Sequence, residues 1–309
     1  MSEKKVATEG YLLLILAVFT WSFSEIIVKL LHGSVGPIAL SFFRFFIGGI
    51  FLLAILFIKK DLSGMKKMIK DNLLLILISS CFAFGFSNII YFFGVTFTKA
   101  NIASTIYTTY PIWITIYSIF ILNERNNLRF KFIGILIGII GVALLMTDFN
   151  LLGLFSSEYL LGNSLVLLGS IIWGLYSVTG KKIQINEKET SNCALKFSAI
   201  SSLLACIPVL IFLPFTSEIN GFLFYDFDAW FWISFLGIIS TGIGVYLLFE
   251  GIKRIEVSKG FSLAFLKPIF TTILAFFILS ELPSIALLVS ISLVMASILL
   301  ITNNPRSKG

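Results

Sequence analysis

Apolar residues run through this chain in long unbroken stretches, separated by short polar clusters, and neither strand-like alternation nor a one-sided helical stripe organises them. Ten stretches are about as long as a helix must be to cross a bilayer: near residues 11–32, 36–58, 73–95, 99–122, 130–147, 161–180, 194–214, 230–252, 258–280 and 284–302. Each predicts a helix that is apolar on all sides. The expected fold class is therefore all-α and polytopic, with ten transmembrane helices. The first stretch is too long for a signal-peptide core and ends in Lys29, Leu31 and His32 instead of small residues, which predicts a retained helix.

The pattern also repeats. Pro111 and Glu124 enclose IWITIYSIFILN, Pro268 and Glu281 enclose IFTTILAFFILS, and both pairs, like Gly94 and Gly251, are 157 positions apart. At the front of each half the offset is 152, matching Trp21 to Trp173, Lys29 to Lys181 and Arg44 to Lys196. A five-residue insertion in a loop accounts for the difference. The expected units are 11–147 and 161–302, each of five helices. Five is odd, so the second unit enters the membrane upside down relative to the first, and Glu124 and Glu281 are expected on opposite faces. Inverted repeats of this kind place a substrate site at their interface near the bilayer midplane.

Composition narrows the class. With 58% hydrophobic and 13% charged residues, the chain carries about half the charge of a soluble globular protein. The net charge of +7 is not a nucleic-acid footprint. If the ten spans alternate from an inner N-terminus, all of the 23 Lys and Arg except Lys29, Arg44, Lys99 and Lys267 fall on the inner side. The two longest outer loops carry only Asp148, Glu158, Glu218, Asp226 and Asp228. This predicts cytoplasmic termini. Cys81, Cys193 and Cys206 have neither metal-ligand spacing nor the look of a disulfide framework. One histidine, no paired intramembrane aspartates and no histidine cluster leave acyl transfer, proteolysis and metal chemistry without their parts, so the chain is not expected to be an enzyme. Nor is there a Gly-rich phosphate loop ending in Gly-Lys-Ser or Gly-Lys-Thr.

Ionisable residues inside spans cost about 2.5 to 3.5 kcal/mol each at a helix centre, so each needs a reason. Lys29 and Lys181 lie near helix ends and are expected to snorkel. Arg44 lies about 12 Å in from the outer surface at 1.5 Å per residue. Glu25 and Lys267 have no charged mate, their counterparts being Ser177 and Tyr110, and that asymmetry favours function over scaffolding. Glu25 and Lys29, one turn apart, form the bland alternative pair. Lys267 precedes Pro268, whose missing N–H leaves a carbonyl unpaired, and a buried ammonium there needs an anion such as a substrate carboxylate. Pro111, Pro268 and nearby glycines are candidate hinges. Polar-tipped residues at mid-depth complete the candidate substrate-binding set: Trp21, Glu25, Arg44, Asn88, Tyr91, Tyr107, Tyr110, Trp173, Tyr176, Tyr246 and Lys267. Glu124, Glu250 and Glu281 lie at helix ends and are expected to be structural, with Glu124 and Glu281 holding backbone amides. Gly48, Gly49, Gly134, Gly138 and Gly141 suggest close helix packing, and the Gly134-III-Gly138 pair offers a subunit interface.

The ten-span plan, the tryptophan in the first span of each half, the Pro37-IALSFF-Arg44 stretch and the proline-to-glutamate signature closing the fourth and ninth spans resemble the EamA-type branch of the drug/metabolite transporter superfamily. The resemblance runs from about Leu12 to Thr302. It departs at Lys196, where the first half has Arg44, and at Ser258-Lys259-Gly260, where the first half has Asn101-Ile102-Ala103. It implies a multi-pass cell-membrane protein of two inverted five-helix repeats, with a cavity lined by the first four spans of each. The fifth and tenth spans would pack outside, against lipid or a second subunit in a homodimer. It further implies export of small metabolites, amino acids prominent among them, by alternating access and without a cofactor. The partners expected are the bilayer and a small carboxylate-bearing substrate. A nucleotide-sugar or phosphorylated-metabolite antiporter of the same superfamily is the alternative, and it would want more cavity cations than Lys267 and Arg44.

Overall fold

The computed structural model describes residues 3–31, 33–98, 106–147, 149–150, 152, 160–279 and 285–302. Among them there is no strand. Seven helical stretches are long and apolar enough to cross a membrane, and they include Lys5–Val28 within α1 (Glu3–Leu30) and α2 (Pro37–Ile58). The others are α3 (Leu73–Val95), α6 (Leu160–Asn186), α7 (Cys193–Phe215), α8 (Phe227–Ile252) and α9 (Val257–Ile278). Shorter apolar helices are α4 (Tyr110–Ile121) and α10 (Ala286–Thr302), and α5 (Leu128–Thr147) has 20 residues. The expected fourth span began at 99, and residues 99–105 lie outside the described ones, as does Glu281. Phe57, Leu74, Phe120 and Phe277 are all more than two-thirds exposed on the outer surface, where a bilayer would cover them.

Helix pairs recur when the two halves are exchanged. α1 packs on α8 as α6 packs on α3, α2 on α8 as α7 on α3, and α1 on α9 as α6 on α4; α2 meets α7, and α5 meets α10. The helix contacts of one half are thus repeated in the other. Gly94 and Gly251 let the corresponding helix pairs, α3 with α6 and α8 with α1, approach closely. A Cβ on Gly94 would stand 2.8 Å from the backbone nitrogen of Val166 on α6, and one on Gly251 would stand 3.1 Å from the Gly10 carbonyl on α1. The α5 glycines serve the same purpose within the chain. A Cβ on Gly134 would meet Ile301 at 2.6 Å, and one on Gly138 would meet Phe265 at 2.6 Å and Ser297 at 2.7 Å. Their spacing is thus used against α10 and α9, not held open for a second subunit.

Two breaks in helical register were not anticipated. α3 contains a π segment at Ile78–Phe86 and α8 one at Leu236–Ile243. Both are long for a conformation that is usually a single turn. Gly85 and Gly242 fall within them at the 157-residue offset. α9 is also interrupted: Val257–Phe261 is α-helical, Ser262–Phe265 is a 3-10 turn, and the α-helix resumes at Leu266. Pro268 sits two residues past that restart, where its ring and missing N–H disfavour a continuous ladder through the turn before it. Pro111 is the second residue of α4, a position where a missing N–H costs nothing. Both prolines therefore follow helix starts instead of kinking a continuous rod.

Acidic side chains bind the halves together at helix starts. Glu218 accepts from the Ile38 and Ala39 N–H groups at the first turn of α2, at 3.3 and 2.8 Å. Asp61, 157 positions earlier, accepts from Ser191 Oγ (2.8 Å), Asn192 Nδ2 (2.6 Å) and Lys196 Nζ (2.8 Å) where α7 begins. Glu124 holds the start of α9, accepting from the Val257 N–H (3.0 Å), the Ser258 N–H (3.3 Å) and Ser258 Oγ (3.1 Å). Beside it the buried Lys131 ammonium stands 3.0 Å from Glu256, which also accepts from Asn126 Nδ2 at 2.9 Å. Burial opposes ionisation of Glu256, yet Asn126, Lys131 and Lys259 together hold its carboxyl below the usual range. Lys181 does not snorkel: its ammonium donates to the carbonyls of Ile252 and Ile255, satisfying the C-terminal end of α8. The side chain of Lys29 lies outside the described residues. Glu250 is structural, paired with Arg254 at 2.6 Å.

Candidate substrate-binding cavity

A cavity of about 940 Å³, its mouth included, lies between α1, α2, α3, α4, α6, α8 and α9. Its wall contains Trp21, Arg44, Asn88, Tyr91, Tyr107, Tyr110, Trp173, Tyr176 and Lys267. The structure thus brings together nine residues that the sequence singled out across some 250 positions. Ser24, Val28, Phe84, Phe92, Val95 and Val245 complete the wall and were not singled out. Helical spacing could have found them. Trp21, Ser24 and Val28 form one stripe of α1, Phe84, Asn88, Tyr91 and Val95 one stripe of α3, and Val245 is the 157-offset mate of Asn88.

Tyr246 does not belong to the wall. Val245 faces the cavity, so the next residue, rotated by about 100°, turns away and packs with Leu52, Leu56 and Leu195 between α2 and α7. The Glu25 side chain lies outside the described residues.

Wall residues include pairs at the offsets read in the sequence, Trp21 with Trp173 and Tyr110 with Lys267 among them. Trp21 and Trp173 meet edge to face, with ring centroids 5.9 Å apart. The Trp21 Nε1–H donates to the carbonyl of Ser240 in the α8 π segment at 3.0 Å. Tyr110 lies 4.7 Å from Trp173, Tyr91 4.2 Å from Tyr107, and Phe84 stacks on Tyr176 at 4.3 Å. The Tyr176 hydroxyl reaches away to Ser201 Oγ at 2.8 Å, so that its ring, not its polar tip, forms wall.

Cations enter this aromatic enclosure from two directions. Lys267 stands at the restart of α9, where its carbonyl accepts from Ser22 Oγ on α1 at 3.3 Å. Arg44 comes from α2, with Nε donating to Thr241 Oγ1 in the α8 π segment at 3.2 Å and the guanidinium 5.2 Å from the Phe45 ring. Its mate Lys196 is fully buried but faces elsewhere, held by Asp61, the Ser63 carbonyl and Ser191. Among the described residues no carboxylate lines the cavity, and no group of three or more His, Cys, Asp or Glu could hold a metal ion. The chemistry available is binding: aromatic faces for an apolar body and cationic donors for an anionic head.

A helical molecule with seven membrane-length stretches packed around a central cavity fits a membrane transporter. The comparisons agree. The chain matches the EamA-like transporter family over residues 8–147 and again over 160–303, and it belongs to that family. An uncharacterized transporter of Clostridium kluyveri is 27% identical over 281 residues, covering 88% of this chain and 86% of that protein. The uncharacterized transporter YoaV of Bacillus subtilis is 27% identical over 240 residues, covering 77% and 78%. The S-adenosylmethionine uptake transporter of Rickettsia prowazekii is 23% identical over 288 residues, covering 90% and 87%. A protein of known crystal structure superposes with a TM-score of 0.75 at 21% identity, covering 96% of each chain, which shows a shared fold. The protein is a multi-pass membrane transporter and not an enzyme.

Proposed function

We propose that this transporter exports small carboxylate-bearing metabolites, amino acids or their derivatives, by alternating access through the central cavity. The observation that carries the reading is the wall itself, in which Lys267 and Arg44 stand among Trp21, Tyr107, Tyr110 and Trp173. An ammonium and a guanidinium in an aromatic-lined wall suit an anionic group, and a carboxylate matches both. The relative named for S-adenosylmethionine adds support, since that molecule also carries an α-amino carboxylate. Export as the direction rests on the family resemblance. A diphosphate-bearing substrate, the alternative, would demand more positive charge than these two side chains supply.

The reading includes ten spans in two inverted five-helix repeats, 11–147 and 161–302, with cytoplasmic termini. The exchange symmetry of the helix pairs supports the duplication. In that orientation the cluster of Glu124, Lys131, Lys181 and Glu256 marks the cytoplasmic end, and its bonds to the end of α8 and the start of α9 fit a closed gate. The cavity wall extends instead toward Val28, Val95 and Tyr107, the outward side.

The test is an export assay in amino-acid-loaded cells carrying wild type, Lys267→Ala or an empty vector. An amino acid should accumulate outside only with wild type. Lys267→Ala, expressed equally, should lower the rate at subsaturating substrate by about ten- to a hundredfold, the range for losing a charge-assisted hydrogen bond. Equal export by the mutant would make Lys267 structural, and no wild-type signal would count against export of these compounds.

A further inference from the structure

Asn88 differs from the rest of the cavity wall in having a fixed orientation that leaves an acceptor over. Its Nδ2 donates to the carbonyl of Phe84 at 2.8 Å. A carbonyl oxygen only accepts, so the nitrogen must occupy that side of the amide, and the two ends of the side chain are not interchangeable. Among the described residues no donor reaches Oδ1, and the side chain lines the cavity, so this oxygen faces the space a substrate would fill.

The clamp sits where the π segment of α3 gives way to α-helix at Ser87. At its end the Ser87 N–H reaches the Phe82 carbonyl, five residues back, and the Phe84 carbonyl accepts from two side chains: Ser87 Oγ at 3.3 Å and Asn88 Nδ2 at 2.8 Å. The corresponding π segment of α8 is followed by Val245, which also lines the cavity but offers no polar atom. Duplication alone would have given both walls the same chemistry. The halves have diverged at this pair, Asn88 against Val245, and again at Tyr110 against Lys267.

Resting on the carboxylate reading above, we propose that Asn88 Oδ1 recognises the ammonium of the substrate, so that the cavity selects α-amino acids over plain carboxylic acids of the same shape. Lys267 and Arg44 bring only donors, which suit a carboxylate. An ammonium has three donors and no acceptor capacity, and it requires what Asn88 presents. A substrate lacking the amine would bury Oδ1 without a partner, and sites built around such a bond reject the analogue that lacks it.

The experiment is calorimetric titration of the purified full-length protein in detergent with L-leucine and L-phenylalanine, each beside its des-amino acid, 4-methylpentanoate and 3-phenylpropionate. Wild type is expected to prefer each amino acid by at least about tenfold. Asn88→Leu should reduce the preference to within about twofold while keeping its affinity for the des-amino acids, which also shows that it is folded. Asn88→Asp, which retains an acceptor, should keep or enlarge the preference. If Asn88→Leu retains the wild-type preference, or if Glu25→Gln rather than Asn88→Leu abolishes it, the role of Asn88 is overturned and the cavity reading stands. If wild type binds none of the four compounds, both fall together.

Discussion

A lysine and an arginine at matching places in the two halves have opposite fates. Arg44 lines the cavity, whereas Lys196, just as deep in the protein, is consumed by Asp61, Ser63 and Ser191. The difference lies in what stands at the helix start. Glu218 occupies the first turn of α2 through backbone amides alone, leaving Arg44 two turns on to face inward, while its mate Asp61 reaches the side chain of Lys196. Hydrogen bonds from Lys196, Asn192 and Ser191 hold the Asp61 carboxyl well below the usual carboxylate range. A carboxyl depressed in the folded state stabilises it fully above the unfolded value of about 3.9 and loses that contribution as pH falls through the folded value. Melting temperatures of purified wild type should therefore decline as pH drops below about 4. Asp61→Asn should melt lower than wild type at pH 7, and the gap should narrow in the acid window; parallel pH curves for the two proteins would contradict this. Depth marked Lys267 and Arg44 in the sequence, and the lack of a charged mate marked Lys267 further; both line the cavity. The Asp61 and Glu218 pair was written there too, at the same 157-residue offset as Glu124 and Glu281, but loop acids look like solvated charge until the helix starts they hold are known. Tyr246 failed for a smaller reason: in a helix apolar all round, a one-residue error turns the side chain by about 100°.

The seven membrane-length helices followed from hydrophobic run length, and the breaks within them did not. A π segment shifts the register by one residue, and in a helix with no polar face that shift leaves no periodic trace. What marks these segments is glycine. Gly85 would place a Cβ 2.6 Å from the Ala205 carbonyl, and Gly48, opposite the other π segment, would place one 2.6 Å from the Gly237 carbonyl. The widened turns pack backbone to backbone against α7 and α2. The same demand holds along α8 and α1, where a Cβ on Gly251 would meet Leu14 at 2.7 Å and the Gly10 carbonyl at 3.1 Å. Gly251→Leu should therefore separate α8 from α1 at an overpacking cost of about 1–3 kcal/mol, lowering the melting temperature measured by fluorescence-detected size exclusion. An unchanged midpoint would show that the helices can part at that level without loss.

At the scale of the whole molecule, the helix contacts of one half recur in the other, and residues at the repeat offsets, such as Trp21 and Trp173, meet in one cavity, whose chemistry differs where such pairs differ. The repeat and the family were legible because proline, glutamate, glycine and tryptophan recur at fixed offsets. The depth of each span was not, because run length in a sequence does not say where α9 pauses in a 3-10 turn before Lys267. That pause sets the cation in the wall, and the Glu124 bonds to Val257 and Ser258 hold the same helix from its other end. Movement of α9 would thus shift the Glu124 contacts and Lys267 together. The measurement that bears most directly on the cavity as the transport site is counterflow in proteoliposomes loaded with an unlabelled amino-acid mixture and supplied with trace labelled L-leucine or L-phenylalanine. Wild type should accumulate label transiently, and Lys267→Ala and Arg44→Met should each slow it by about tenfold or more. Counterflow by wild type that both substitutions leave unchanged would contradict the account, placing the substrate somewhere other than between these two cations.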